Sequence, residues 1–239
     1  MKTILKKIIP KKIAKQSNLL RRKYKRSYSQ SGEDMILNTI LCDIKAGTYV
    51  DVGANNPIKQ SNTQYFYEKG WNGINIDAIP GSMKHFNRMR PRDTNLEIPI
   101  SDQEDRIKFY MFSSSFYNTF MEETANQTIK RHGHEFLIDI KELYTKKLAQ
   151  VLDKYLNNCE IDFLTIDVEG MDYKVLKSNN WNKYRPKVVV FETKATQIKA
   201  LESSEINKFL LQKGYVLYCF TPVNVFFIEK EYLKLRFGE

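Results

Sequence analysis

The sequence predicts an α/β domain of the nucleotide-binding type, and three stretches carry that expectation. Gly47–Pro57 (GTYVDVGANNP) reads as a short buried strand built on Tyr49, Val50 and Val52, which breaks at Asp51-Val52-Gly53 into a loop of small and polar residues. Gly73–Asp77 (GINID) reads as a second strand ending in an acid. Ile161–Gly170 (IDFLTIDVEG) reads as a further buried strand, Phe163, Leu164 and Ile166, with Asp167 and Glu169 emerging at its end. In open α/β sheets the ligand crevice lies outside the carboxyl ends of the strands, so these acids face the place where chemistry would occur.

The first loop narrows the ligand. A dinucleotide fingerprint needs three glycines, for the tight turn, the approach of backbone to pyrophosphate and helix packing, and only Gly53 is present. A ligand without phosphate does not need that cradle. One that carries a positive sulfonium and a free amino group favours a carboxylate such as Asp51, and S-adenosylmethionine is such a ligand. A carboxylate at the end of strand two can chelate two ribose hydroxyls, which makes Asp77 the candidate for that role, with Asn55 in the loop between. Both aspartates can equally cap turns or helices.

At 239 residues, with 42% hydrophobic and 13% aromatic content, the chain suits one α/β domain with extensions. Its three cysteines, Cys42, Cys159 and Cys219, are far apart and include no CxxC pair. They speak for a reducing, cytoplasmic setting and against a disulfide framework or a zinc site. No apolar run approaches 18 residues, so no membrane span is expected. The net charge of +10 is concentrated: Met1–Arg26 holds eleven Lys or Arg residues and no acid, leaving the remainder close to neutral. We therefore divide the chain into a basic arm, 1–26, and a domain, 27–239. Pro10 interrupts any continuous helix in the arm. Its readings are docking on an anionic membrane surface or a partner enzyme, or a solvated basic extension; nucleic-acid binding ranks below these, for want of interleaved aromatic residues.

In chain order, Ser31 with Asp34 resembles a capping box for a helix whose apolar face is Met35, Ile36, Leu37, Ile40 and Leu41, with Gln30 or Asp34 bordering the ligand. Ser61–Gly70 is helix-like. Pro80 opens a helix carrying Met83, Phe86 and Met89, and Leu96–Ile100 reads as strand three, followed directly by Ser101-Asp102. A side chain at that point can reach an adenine edge, although Ser-Asp is also a common turn. Arg106–Phe112 alternates like a strand that either extends the sheet edge or pairs with Phe136–Lys141. The intervening Ser113–Glu135, with His132 and His134, is an insertion that could form a lid. Thr145 is a candidate N-cap for Lys146–Leu156, and Glu169 or Asp172 for the helix Asp172–Lys177. Val188–Phe191 is a buried strand delivering Glu192 to the same rim. Helix Ser203–Lys213 and a hairpin, Gly214–Phe220 and Val223–Glu229 through Thr221-Pro222, complete the reading.

The blocks YSQSGED, YVDVGANNP, SNT, GW, a strand ending in an acid, ISD and IDFLTIDVEG, in that order over Tyr28–Glu192, resemble the FkbM family of S-adenosylmethionine-dependent methyltransferases. The resemblance implies a Rossmann-like class I methyltransferase fold, a seven-stranded mostly parallel sheet with its last strand antiparallel, and O-methylation of a hydroxyl on a sugar, a polysaccharide precursor or another small molecule. Asp77 stands where such proteins more often have Glu, and Thr165 replaces a Lys common before DVEG. The expected cofactor contacts are Gln30, Asp51, Gly53, Asn55, Asp77, Ser101 and Asp102.

Methyl transfer asks for an acceptor held in line at about 3 to 3.5 Å and for exclusion of water. A sugar hydroxyl also loses a proton, for which Asp167, Glu169, His132 and His134 are candidate bases. Alternatively Asp167 and Glu192 form a candidate Mg²⁺ pair that would acidify the hydroxyl. The competing functions are a nucleic-acid methyltransferase and a silent binding module. Base methylators commonly grip a flipped base with a proline-rich, aromatic-ended motif after strand four, where this chain has Asp167–Gly170.

Overall fold

The structure, a computed structural model, describes residues 26–114, 117–156, 159–168, 170–193 and 197–238. The basic arm, apart from Arg26, lies outside them, as does Glu169. The strands are β1 (Thr48–Val52), β2 (Asn72–Asp77), β3 (Thr94–Glu97), β4 (Arg106–Phe112), β5 (Leu137–Tyr144), β6 (Phe163–Ile166), β7 (Val188–Glu192), β8 (Tyr215–Phe220) and β9 (Asn224–Glu229). Seven of them form one sheet in the order β3-β2-β1-β6-β7-β9-β8. Every pairing in it is parallel except those of β9, which runs antiparallel to both neighbours, as the seven-stranded expectation requires.

Alternation along the strands creates two apolar faces. Val50, Val52, Ile74, Ile76, Leu164, Ile166, Val189 and Phe191 point to one face. There they meet α5 (Leu148–Tyr155), α6 (Asp172–Lys177), α7 (Ile198–Ser203) and α8 (Glu205–Gln212) through Leu148, Val151, Leu152, Val175, Leu176, Leu201 and Leu210. Tyr49, Phe163, Val188, Val190, Phe226 and Ile228 point to the other. They are covered by α1 (Glu33–Ile40), α2 (Gln64–Glu68) and α9 (Lys230–Phe237), with Phe66, Trp71 and Phe163 in mutual ring contact. A third helix on the rim, α3 (Met83–Met89), packs Met83 and Phe86 against Ala54. The result is a sheet shielded on both sides, which leaves the carboxyl ends of its strands as the opening where polar groups can gather.

β4 and β5 pair with each other as a separate antiparallel ribbon, so Arg106–Phe112 does not extend the main sheet. Between them, α4 (Glu122–His132) packs Ala125 and Ile129 against Tyr110, Phe112, Phe136 and Leu137.

Several local expectations are corrected. Strand three is Thr94–Glu97, ending before Ile98, Pro99 and Ile100. The Ser31–Asp34 capping box is not formed: Gly32, at φ +89°, precedes α1, and Asp34 instead accepts bonds from Ser27, Ser29 and the Tyr28 N–H. Thr145 does not cap α5 either; Lys147 occupies that position while Thr145 Oγ1 bonds the Gln103 carbonyl at 2.6 Å. Helix α9 was not anticipated, because only Tyr232 of its eight residues is buried and no apolar stripe marks it.

Candidate functional site

A cavity of about 390 Å³ opens at the carboxyl ends of β1, β2, β6 and β7. It begins where β1 becomes loop. Gly53 has φ +87°, and a Cβ there would collide with the backbone carbonyl of Asp167, so this glycine is required by both conformation and the close approach of β6. The loop is latched on both sides: the Gly53 N–H donates to the Ile76 carbonyl at 2.8 Å, and the Asp167 N–H to the Val52 carbonyl at 2.9 Å. Asn55, in the left-handed region at φ +48°, turns its N–H onto Asp77 Oδ2 at 2.7 Å, while Ile79 N–H holds Asp77 Oδ1 at 2.7 Å. Asp77 thereby caps its own turn and still presents a carboxylate to the cavity, with lone pairs left over on each oxygen. Burial pushes its pKa up, and the two backbone donors pull it back.

Behind the loop lies a buried cation. Arg90, fully buried at the end of α3, donates to the Pro57 carbonyl, to Ser61 Oγ at 2.8 Å and to Thr63 Oγ1 at 2.6 Å, and stands 3.9 Å from Asp93. Thr63 Oγ1 in turn donates to Asp51 Oδ2 at 3.0 Å. Burial raises the Asp51 carboxyl to about 6, a rise moderated by the positive charge of Arg90 and the Thr63 hydrogen bond. Asp51 is thus a buried carboxylate with limited compensation, lining a cavity and suited to receive a cationic group.

The remaining wall has two parts. Ile98, Pro99 and Ile100 form an apolar slot beyond β3. Phe109 of β4 and Phe120 lie with ring centroids 4.6 Å apart, and Asn118 and Thr119 sit beside them. This segment is held by backbone bonds in both directions between Tyr110 and Thr119. The Asn118 amide oxygen accepts the Phe112 N–H at 2.8 Å, which leaves its NH₂ as the group free to donate. Opposite in sequence, Asn62 donates to Thr165 Oγ1 at 3.0 Å, and both line the cavity with Gln60, Asp167 and Glu192.

Of the residues singled out in the sequence, Gln30, Asp51, Gly53, Asn55, Asp77, Asp167 and Glu192 line this cavity. Ser101, Asp102 and His134 do not. Asp102 is engaged by Lys177 Nζ at 2.7 Å, which lowers its pKa despite some burial, and Ser101 turns its hydroxyl to Asp102. The wall there is made by the three preceding residues instead. His134 is exposed at the far end of α4, and His132 stacks on Phe136 with centroids 4.9 Å apart, so neither stands at the cavity. Among the described residues no group of three or more His, Cys, Asp or Glu side chains gathers as a metal site, and Asp167 and Glu192 remain a pair. Asp172 of α6, read from the sequence only as a cap, stays outside the cavity lining; its Oδ1 has no hydrogen-bond partner, and burial raises its pKa to about 6. The aromatic pair, Asn118 and Arg90 were missed as site elements. Only the SNT block hinted at the polar link through Asn62 and Thr63.

The model of the methyltransferase FkbM domain matches residues 51–217, from Asp51 at the end of β1 into β8. No curated protein matches the chain. Three solved structures illustrate its structural likenesses, each at 10% identity. They are a putative RNA methyltransferase from Pyrococcus horikoshii (83% of this chain, 83% of that one, TM-score 0.41), a TehB-like S-adenosylmethionine-dependent methyltransferase from Corynebacterium glutamicum (92% and 97%, 0.43), and an O-methyltransferase from Bacillus cereus in complex with S-adenosylhomocysteine (92% and 93%, 0.40). Among the described residues no helix is long and apolar enough to cross a membrane.

Proposed function

Since the chain belongs to the FkbM methyltransferase family and is an S-adenosylmethionine-dependent methyltransferase, we propose that it methylates a hydroxyl of a sugar or a similar polyhydroxylated small molecule. One observation carries this reading: the carboxylates of Asp167 and Glu192 share a cavity with an aromatic pair, Phe109 and Phe120, and with the amides of Asn62 and Asn118. Aromatic faces beside carboxylates and amides suit the apolar faces and hydroxyls of a carbohydrate.

The residues present fit the cofactor. The left-handed turn at Gly53 and the doubly anchored carboxylate of Asp77 make a loop that approaches closely without a phosphate cradle. Asp77 would accept hydrogen bonds from the ribose hydroxyls, Asp51 and Gln30 would border the cationic end, and Ile98–Ile100 would cover the base. When bound, S-adenosylmethionine supplies a methyl group already activated on a sulfonium. What remains for the protein is positioning and the proton. Asp167, fixed by its own N–H on β1, takes the acceptor proton at its carboxylate. Glu192 and the Asn118 amide orient the acceptor's hydroxyls, and Phe109 with Phe120 keeps water from the reacting atoms.

The test is transfer of a labelled methyl group from S-adenosylmethionine to separate panels of neutral saccharides, amines and RNA, with the modified atom identified by mass spectrometry. Label on a saccharide oxygen is the expected result. Label confined to RNA or to nitrogen would overturn the hydroxyl reading while leaving the methyltransferase assignment intact.

A further inference from the structure

We propose that β5 is the dimerisation edge of this protein, two copies pairing their β5 strands antiparallel about Ile140 to join the two ribbons into one four-stranded sheet. The strand has an open side. Tyr110 of β4 sends both its N–H and its C=O to Thr119, so the facing pair Tyr110–Ile140 is one of the non-hydrogen-bonded pairs of the ladder. Ile140 therefore directs its own N–H and C=O away from β4. Its N–H has found only the adjacent side chain, Asp139 Oδ1, at 2.8 Å.

The same edge exposes apolar side chains that a solvent-facing strand ordinarily avoids: Ile138 is 66% exposed, Ile140 45% and Tyr144 53%. Protected edges use charges of one sign to repel a second strand. The charges here are arranged in the opposite sense. In the sequence Leu137-Ile138-Asp139-Ile140-Lys141-Glu142-Leu143, antiparallel pairing centred on Ile140 sets Ile140 against its own copy. Asp139 then faces Lys141 of the second copy and Lys141 faces its Asp139, while Ile138, the bulged residue of β5, and Glu142 meet at the next positions out. The centre of the strand, Asp139-Ile140-Lys141, is self-complementary in charge and in apolar character, which is what a two-fold interface requires of a single patch. Ile140 is also the residue whose outward N–H and C=O would make the central hydrogen-bonded pair, and the charged pairs fall at the adjacent, closer-spaced positions. A second copy is therefore the occupant that the strand itself specifies. Pairing there would brace the ribbon whose other strand carries Phe109 into the cavity.

Sedimentation analysis of the full chain tests this, with a folded monomer of 28.2 kDa as the reference mass. The wild type is expected to sediment as a dimer at about 50 µM. Asp139→Lys sets like charges opposite each other and should weaken association at least tenfold, and Asp139→Lys/Lys141→Asp, which restores complementarity with the signs exchanged, should recover it. Ile140→Pro removes an N–H that β4 does not use, so it should yield a monomer with unchanged circular dichroism. A wild type that stays monomeric, a dimer that ignores Asp139→Lys and Ile140→Pro, or a double variant no better than the single one would overturn the proposal.

Discussion

The two halves of the cavity are built on different plans. The half proposed for the cofactor, Gly53 to Asp77, hangs on the ends of parallel strands, and its polar groups are pinned by backbone hydrogen bonds and by Arg90 from below. The half proposed for the acceptor, Phe109 and Asn118–Phe120, belongs to a ribbon outside the main sheet, tied to itself mainly through Tyr110 and Thr119. One plan gives a site whose geometry follows from the sheet. The other gives a wall that can differ among relatives without disturbing the sheet, which is where substrate choice would be expected to lie.

If the cofactor half is as rigid as this, its glycine should be the most costly position to change. Gly53→Ala forces a left-handed backbone on alanine and drives a methyl group into the Asp167 carbonyl, so we expect a loss of about 3 kcal/mol or more in denaturant unfolding. A variant as stable as wild type would show that the loop yields more easily than the geometry implies.

The proposed chemistry separates from both halves at Asp167. Asp167→Asn keeps shape while removing the charge, and turnover should fall about 10²-fold, with cofactor affinity unchanged. As the general base, Asp167 needs no metal, so on this proposal chelator should leave turnover as it was. Restoration by Mg²⁺ after EDTA would instead return Asp167 and Glu192 to the role of metal ligands.

The acceptor half is sharpened by Phe120→Ala. Loss of the ring that lies against Phe109 should raise the acceptor KM about tenfold and leave S-adenosylmethionine binding alone. An equal loss of cofactor affinity would mean that the two halves are not separable.

Smaller in size is the effect of Asp51 burial. Its carboxyl ionises near pH 6 in the folded chain against an ordinary value of 3.8. A raised pKa means that the folded state favours the neutral form: there is no penalty below about pH 4, and it grows as pH rises to about 6 and is then constant. Asp51→Asn should therefore stabilise the ligand-free protein at pH 7 to 8 by about 1–2 kcal/mol, with no gain below pH 4, while weakening the cofactor. In the wild type, cofactor affinity should decline as pH falls below about 6. Thermal melts across pH, with and without ligand, check both signs.

Legibility in the sequence follows the same division. β2, β6 and β7 are visible as apolar runs with Asp or Glu at their ends, β1 as an apolar run breaking at Asp51-Val52-Gly53, and the hairpin as two strands joined through Thr221-Pro222, because each signal is contained in a few consecutive residues. Phe109 and Phe120 were hidden because they lie 11 positions apart and meet only through the Tyr110–Thr119 bridge. Arg90 was hidden because a buried cation looks in the sequence like any helix-end arginine. Asp102 misled for the converse reason: a strand-end acid is visible in the sequence, but its partner, Lys177, is 75 residues away.

That contrast between Asp77 and Asp102 offers the most direct test of the site. Calorimetric titration of S-adenosylmethionine into Asp77→Ala and Asp102→Ala, beside wild type, should show binding weakened by about 1.5 to 3 kcal/mol in the first and unchanged in the second. Unchanged affinity in Asp77→Ala, with the loss appearing in Asp102→Ala, would contradict the account.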